Sequence, residues 1–187
     1  SIGVDFSNVP IIDTNSVLSV GIRGTSIATS GAGASAVVIG NLNEFAASSG
    51  SNTALVLDLS GAIETTGMGS DGVVIGANWG TPGAAADDQA NSIVSRLFDI
   101  DLSGSLSASG TGSVGIRTAS FLELLDITET GSITADTFAI LSEGAGGIGT
   151  LNNAGTITGD LSFGDVDSTL NNSGTIIGDV YLYDSAD

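Results

Sequence analysis

Carboxylates are the side chains of this sequence that are best suited to do chemistry. The chain has 21 acidic residues against three arginines, and it has no histidine or cysteine. Two carboxylates that flank a sugar can hydrolyse a glycosidic bond. Neighbouring acids occur as Asp87/Asp88, Asp99/Asp101 and Asp165/Asp167. Acids that adjoin or alternate along a strand are more typical of a solvated face, so we expect no catalytic residue.

Calcium is the cation that this composition suits best. Residues 99–104 read DIDLSG, like the start of a helix-flanked calcium loop, but Gly110 stands where that loop needs a glutamate. Residues 144–153 read GAGGIGTLNN, like a glycine-rich calcium-binding repeat, but Leu151 takes the place of its aspartate. We therefore predict no located metal site and no cofactor. Weak Ca²⁺ binding by the acidic surface is the alternative.

The charge balance excludes several classes of partner. A formal net charge of −18 leaves almost no cation to neutralise phosphate, which excludes nucleic acid and anionic membrane surfaces. Without cysteine there are no disulfides, and without histidine the usual general base is missing. The uncharged run at 24–43 consists mainly of small residues, so we expect no membrane insertion.

Repetition organises the chain. LNNAGTITGDLSF at 151–163 returns as LNNSGTIIGDVYL at 170–182, which is 19 residues later. A looser Gly-x-Ile or Gly-x-Leu recurs at 61–63, 104–106 and 131–133. Short apolar runs with alternating character surround these motifs, and Gly, Asn, Asp and Ser fill the gaps between them. Each unit is therefore predicted to hold three short strands separated by turns.

Stacking of such units predicts the fold. We expect an all-β, parallel β-helix solenoid in which residues 1–187 form a single domain or a fragment of a longer solenoid. An antiparallel sandwich or barrel is the alternative, but it does not explain why the same residue types return at the same offset. Short loop insertions are predicted near 41–52 and 77–91, with helical spacing near 86–97.

The doubled asparagines are the predicted structural feature of the repeat. A stacked amide can donate to one neighbour and accept from the other, which forms a ladder, although turn residues are the alternative. The predicted ladder consists of Asn152, Asn153, Asn171 and Asn172.

Five further residues stand out. Arg23 and Arg117 occur in matching VGIR stretches and are predicted to be structural. Trp79, the only tryptophan, lies in the 77–91 insertion, where it either contacts a partner or caps a strand edge. Tyr181 shares a strand face with Tyr183, and that face is predicted to point outward.

The units NNAGTITGD and NNSGTIIGDV resemble the repeats of bacterial autotransporter passenger domains and related large surface adhesins. The clear resemblance covers residues 150–187 and continues weakly upstream through the Gly-x-Ile motif. It implies a right-handed β-helix at the bacterial cell surface, in the extracellular space. It carries no catalytic residue across.

A non-catalytic structural or adhesive segment of a surface protein is therefore the expected function. The unit at 170–187 is as regular as the one before it and has no polar cap, so we expect further coils or end-to-end stacking of subunits. The expected partners are other copies of the chain, adjoining coils, or host or matrix glycans or proteins. The alternatives are a carbohydrate-binding or polysaccharide-degrading module that uses surface carboxylates, and a calcium-stabilised structural module.

Overall fold

The computed structural model describes residues 3–5, 17–39, 53–76, 96–119, 121–143 and 146–182. Regular structure in these ranges consists of β-strands alone, and every pairing between named strands is parallel. The all-β prediction with parallel strands is confirmed for this part of the chain, and the antiparallel alternative is wrong. The described ranges hold no helix that is long and apolar enough to cross a membrane. The predicted insertions at 41–52 and 77–91 lie outside them.

One parallel sheet, which we call the first ladder, has six strands. In pairing order it contains β2 (Val17–Ile22), β5 (Thr53–Leu59), β8 (Arg96–Leu102), β11 (Phe121–Ile127), β13 (Gly147–Asn153) and β15 (Thr169–Asn172). Residues 96 and 97, where the sequence also allowed the end of a helix, belong to β8. The strand β2 was not singled out from the sequence.

The other sheet has 11 strands and follows two paths that meet in β12 (Ser132–Ser142) and β14 (Thr156–Ser162). The second ladder includes the first residues of β12 and β14. It contains β3 (Ser26–Thr29), β6 (Ala62–Thr65), β9 (Ser105–Ala108) and β16 (Thr175–Ile177). The third ladder includes the last residues of β12 and β14. It contains β1 (Val4–Asp5), β4 (Val37–Ile39), β7 (Val73–Ile75), β10 (Ile116–Thr118) and β17 (Val180–Tyr181).

The two copies of the repeat meet residue on residue. In the first ladder Leu151 pairs with Leu170, and in the second ladder Ile157 pairs with Ile176. The third ladder continues the match with Leu161 beside Val180. The chain therefore returns to each ladder after one repeat, and each copy lies against its predecessor.

Inward side chains from the three ladders form one core. Alternation along β5 and β8 buries Leu57, Leu59, Ile100 and Leu102, whereas the intervening Asp101 is exposed. Each fully buried aliphatic side chain contributes about 1.5–3 kcal/mol relative to an exposed one. We call one pass of the chain through the ladders a coil. Columns of core residues run from one coil to the next, such as Ile63, Leu106, Ile133 and Ile157. The core therefore holds the three ladders together.

Candidate functional site

Two asparagine pairs meet at the end of the first ladder. The strand register places Asn152 beside Asn171 and Asn153 beside Asn172. Nδ2 of Asn153 donates to Oδ1 of Asn172 at 2.7 Å, and Nδ2 of Asn171 donates to Oδ1 of Asn152 at 3.0 Å. The two side-by-side columns therefore carry their hydrogen bonds in opposite directions along the stack.

Asn153 is the buried member of this group. Its side chain is 1% exposed and occupies the column position that Ile127 fills in the preceding coil. Oδ1 of Asn153 accepts the backbone N–H of Gly155 at 3.1 Å, and Nδ2 also reaches the carbonyl oxygen of Thr175 at 3.3 Å. Both ends of the buried amide therefore have partners, as a polar group in the interior requires.

Replacing Asn153 with alanine is expected to destabilise the chain by about 1–3 kcal/mol, because the buried N–H of Gly155 loses its acceptor. Asn152→Ala is the matched control, since Asn152 is only partly buried and accepts from the exposed Asn171. That change should cost about 1 kcal/mol or less. Urea unfolding of both variants measures the difference. Equal losses would show that burial of the amide is unimportant.

A column of acids runs along the outward face of the first ladder. Asp58 pairs with Asp101, which pairs with Asp126, and the column then continues into Asn152 and Asn171. Stacked strands bring like charges within about 5 Å of one another, which is unfavourable. The change from carboxylate to amide therefore replaces a repulsive column with a self-complementary one.

The acids at the centre of this face hold their protons more tightly than usual. Burial, followed by the charges of Asp101 and Glu123, raises the pKa of Asp99. Oδ1 of Asp99 is shielded from solvent and has no hydrogen-bond partner among the described residues. Burial, followed by the charges of Asp126 and Asp58, raises the pKa of Asp101. The folded state thus disfavours the ionised form of both groups.

A variant with both Asp99→Asn and Asp101→Asn is expected to be more stable than the parent chain at pH 7, by about 0.5 kcal/mol. A raised folded pKa means that these two acids destabilise the fold when ionised. The penalty disappears as the pH falls through their folded values toward the unfolded value of 3.8. The advantage of the variant should therefore shrink between pH 7 and pH 4 in thermal melts.

Asp165→Asn with Asp167→Asn is the control for net charge, because this variant removes two exposed carboxylates that lie after β14, away from the column. It should show no comparable gain. The same melts in NaCl and CaCl₂ at equal ionic strength separate screening from calcium binding. An extra stabilisation by Ca²⁺ that disappears in the Asp99/Asp101 variant would favour the calcium-stabilised alternative.

The two stretches that the sequence analysis compared with calcium loops lie partly in strands. Residues 99–102 belong to β8, and Leu151 of β13 is fully buried in the core. Among the described residues, no group of three or more acidic side chains is arranged to hold a metal ion. A shallow depression of about 450 Å³ lies beside the asparagines. It is lined by Asp126, Asn152, Asn153, Ala154, Asn171, Asn172 and Ser173.

The two VGIR stretches fall at different places in the repeat, one at the end of a first-ladder strand and the other in the third ladder, so their arginines are not equivalent positions. Arg23 follows β2 and contacts Asp58 at 2.6 Å, with its own side chain 65% exposed. Arg117 lies in β10 and contacts Asp71 at 2.6 Å and Glu143 at 2.5 Å.

The ion pair between Arg117 and Asp71 is largely buried, with side-chain exposures of 16% and 7%. Burial acts to lower the pKa of Arg117, but the hydrogen bond and charge of Asp71, with those of Glu143, raise it overall. Asp71 also accepts the backbone N–H of Val114 at 2.8 Å. The sequence did not single out Asp71 or Glu143, because their partner is distant in the chain. This cluster ties three successive coils together.

Hydroxyl groups stack at the turn between the second and third ladders, which the sequence analysis missed. Oγ of Ser70 donates to the carbonyl of Gly31 at 2.7 Å and accepts the N–H of Ala34 at 2.9 Å. One coil later, Oγ of Ser113 donates to the carbonyl of Gly67 at 3.1 Å and accepts the N–H of Ser70 at 3.0 Å. The available signal was Gly-x-Gly-Ser at 67–70 and 110–113, with Gly-x-Gly-Ala at 31–34.

Several residues proposed from the sequence lie outside the described ranges, namely Trp79, Asp87, Asp88 and Tyr183. Tyr181 is described, and its side chain is 39% exposed. Its ring lies 6.3 Å from that of Phe138, at an angle of 53°. The described tyrosine thus contacts an earlier coil through one side of its ring.

The fold and these contacts define the class of protein broadly, as an all-β chain whose parallel strands stack repeat upon repeat. The polar contacts described above are made mainly between successive coils. No known protein family, curated protein or solved structure matches the chain.

Proposed function

We propose that the chain is a segment of a non-catalytic structural or adhesive β-helix in a bacterial surface protein. The supporting observation is the register of the two asparagine repeats, which holds in all three ladders. In a solenoid each coil is stabilised mainly by its neighbours, so such a rod extends by adding coils. The proposal includes a right-handed β-helix and a relationship to autotransporter passenger domains.

The use of the polar side chains supports a structural role. Asn153, Ser70 and Ser113 direct their polar atoms at adjoining coils. Arg117 is likewise held between Asp71 and Glu143. The resemblance of the asparagine repeats to those of surface adhesins supports an extracellular location.

The described carboxylates give little support to a polysaccharide hydrolase. Such a mechanism needs two carboxyl groups that flank the scissile bond. The depression beside the asparagines is lined by a single carboxylate, that of Asp126. Asp99 and Asp101 alternate along one strand and extend the acidic face instead of facing each other across a cleft.

Cysteine cross-linking tests the stacked coils. The chain has no native cysteine, and Thr134 pairs with Thr158 on the outward side of the second ladder. Thr134→Cys with Thr158→Cys should form a disulfide on mild oxidation, because neighbouring strands lie about 5 Å apart. Ser107→Cys with Thr158→Cys is the control, since one strand separates these residues. Cross-linking of the control alone would contradict the stacking.

Labelling of cells tests the location. Antibodies raised against the chain should bind intact cells of the source organism, with no increase after permeabilisation. Labelling that requires permeabilisation would contradict the surface proposal. Purified chain incubated with acidic polysaccharides should release no new reducing or unsaturated ends. Release of such ends, lost in Asp126→Asn, would instead support the polysaccharide alternative.

A further inference from the structure

The last described coil, residues 169–182, carries on its surface groups that the preceding coil buries. Phe163 is 1% exposed, but Leu182 at the matching place in the repeat is 61% exposed. Leu161 is fully buried, whereas its register partner Val180 is 39% exposed. Because the two coils have nearly the same sequence, this uncovered face matches the face of the preceding coil that receives residues 169–182.

The asparagine amides give this face a polarity. Asn172 already accepts from Asn153 through Oδ1, and within the described ranges its Nδ2 reaches only the carbonyl of Gly174, at 3.5 Å. Asn171 already donates to Asn152 through Nδ2, which leaves the carbonyl side of its amide for a further donor. The face therefore offers a donor at the inner column and an acceptor at the outer column.

We propose that this end face is a recognition surface for one further coil of the type Leu-Asn-Asn-x-Gly-Thr-Ile. The inference rests on the proposed β-helix and specifies its partner. A matching coil must accept a hydrogen bond at its inner asparagine and donate one at its outer asparagine. An amide at both positions satisfies both needs. An aspartate accepts but cannot donate, so it suits the inner position only.

Apolar side chains on the face also favour the binding of a further coil. Ile177 is 58% exposed. In the preceding coil the residue at the position of Ile177 is Thr158, and β16 lies directly against it. The isoleucine thus extends the apolar surface available to the next strand. Because this position faces outward, a further strand would cover the side chain only in part and would add less than the value of about 1.5–3 kcal/mol for full burial.

A chain with an added coil tests the proposal. A second copy of residues 164–182 is inserted after Leu182, where the tether keeps its effective concentration high. Backbone amides of residues 169–182 in the original coil should then exchange with deuterium about tenfold more slowly, the change expected when one or two hydrogen bonds form. Unchanged exchange, with the rest of the chain folded, would overturn the proposal.

Two variants of the added copy make the test specific. Asn171→Asp in the copy should weaken the protection clearly, because the outer carboxylate cannot donate to the original Asn171. Asn172→Asp in the copy should keep most of it, because the inner carboxylate still accepts from the original Asn172. Ser173→Ala in the copy is a control of equal length that should behave like the unmodified copy. Equal effects of the two aspartates would overturn the assigned polarity.

The Thr134–Thr158 cross-link, introduced into the same chains, separates the two proposals. If the cross-link forms and the added coil gives no protection, the partner assignment is wrong while the stacked rod stands. If the cross-link does not form, the proposed function itself is wrong. Residues 169–182 of the unmodified chain could also be protected in a concentration-dependent way. If the added coil does not reduce that effect, a second copy binds these residues at a place that the added coil does not cover. This result would also overturn the assignment.

Discussion

Arg117→Ala is expected to lower the free energy of unfolding by about 3–5 kcal/mol, because it leaves the buried carboxylate of Asp71 without its cation. Asp71 is 5% exposed, so water cannot replace the guanidinium group. Removing the arginine also breaks its 2.5 Å contact with Glu143 in the next coil. Guanidinium chloride unfolding at pH 7 measures the loss.

The second arginine pair supplies a matched control. Arg23 contacts Asp58 at the same 2.6 Å, but its side chain is 65% exposed. Arg23→Ala should therefore cost about 1 kcal/mol or less, as exposed ion pairs do. Similar losses for the two alanine variants would show that burial of the Asp71 pair is not decisive.

Neutralising the unpaired carboxylate of Asp71 should restore part of the lost stability. In the Arg117→Ala background, Asp71→Asn removes the buried charge while its side-chain oxygen still accepts the N–H of Val114. The double variant is therefore expected to be more stable than Arg117→Ala alone. A double variant that is less stable would show that the cost arises from lost packing of the arginine and not from the unpaired charge.

Gly110→Ala is expected to destabilise the chain by about 3 kcal/mol, at the upper end of the cost of overpacking. A Cβ on Gly110 would overlap the carbonyl of Gly67 in the adjoining coil. That carbonyl also accepts the hydroxyl of Ser113 at 3.1 Å, so moving it away would break a stacked hydrogen bond. The clash is with backbone, which cannot move aside as a flexible side chain could.

Gly112→Ala in the same turn separates crowding from backbone conformation. Gly112 has a φ of 76°, and an added Cβ would meet no atom within 4 Å. Its substitution should cost about 1–2 kcal/mol, the penalty of a left-handed conformation. Thermal melts of the two variants give the comparison. A loss for Gly110→Ala no larger than that for Gly112→Ala would contradict the close stacking of the turns.

The sequence predicted the features that depend on short, regular spacing. Its alternation at Leu57, Leu59, Ile100 and Leu102 predicted strands with one buried face. The nearly identical segments at 151–163 and 170–182 predicted that equivalent residues lie beside one another, and the register of β13 and β15 agrees with this prediction. Both features involve residues that are neighbours in the chain or one repeat apart. The sequence pattern is therefore enough to predict them.

The longer repeats predicted fewer contacts, because inserted residues change the number of residues between equivalent positions of successive coils. Ala34 meets Ser70 at a separation of 36 residues, whereas Ser70 meets Ser113 at a separation of 43. Stacked hydroxyls at these unequal distances leave little periodic signal. The matching VGIR letters were misleading, since Arg23 follows a strand of the first ladder whereas Arg117 lies in the third ladder.

The sequence by itself determined that this chain is built from short parallel strands and that its last two units lie one on the other. Only the tertiary structure decided which charges are buried, where the acids stack, and in which direction each asparagine donates. These properties depend on which coil lies above and below a given side chain. The polarity of Asn152, Asn153, Asn171 and Asn172 is therefore set by contacts between coils, although the spacing of these residues was already visible in the sequence.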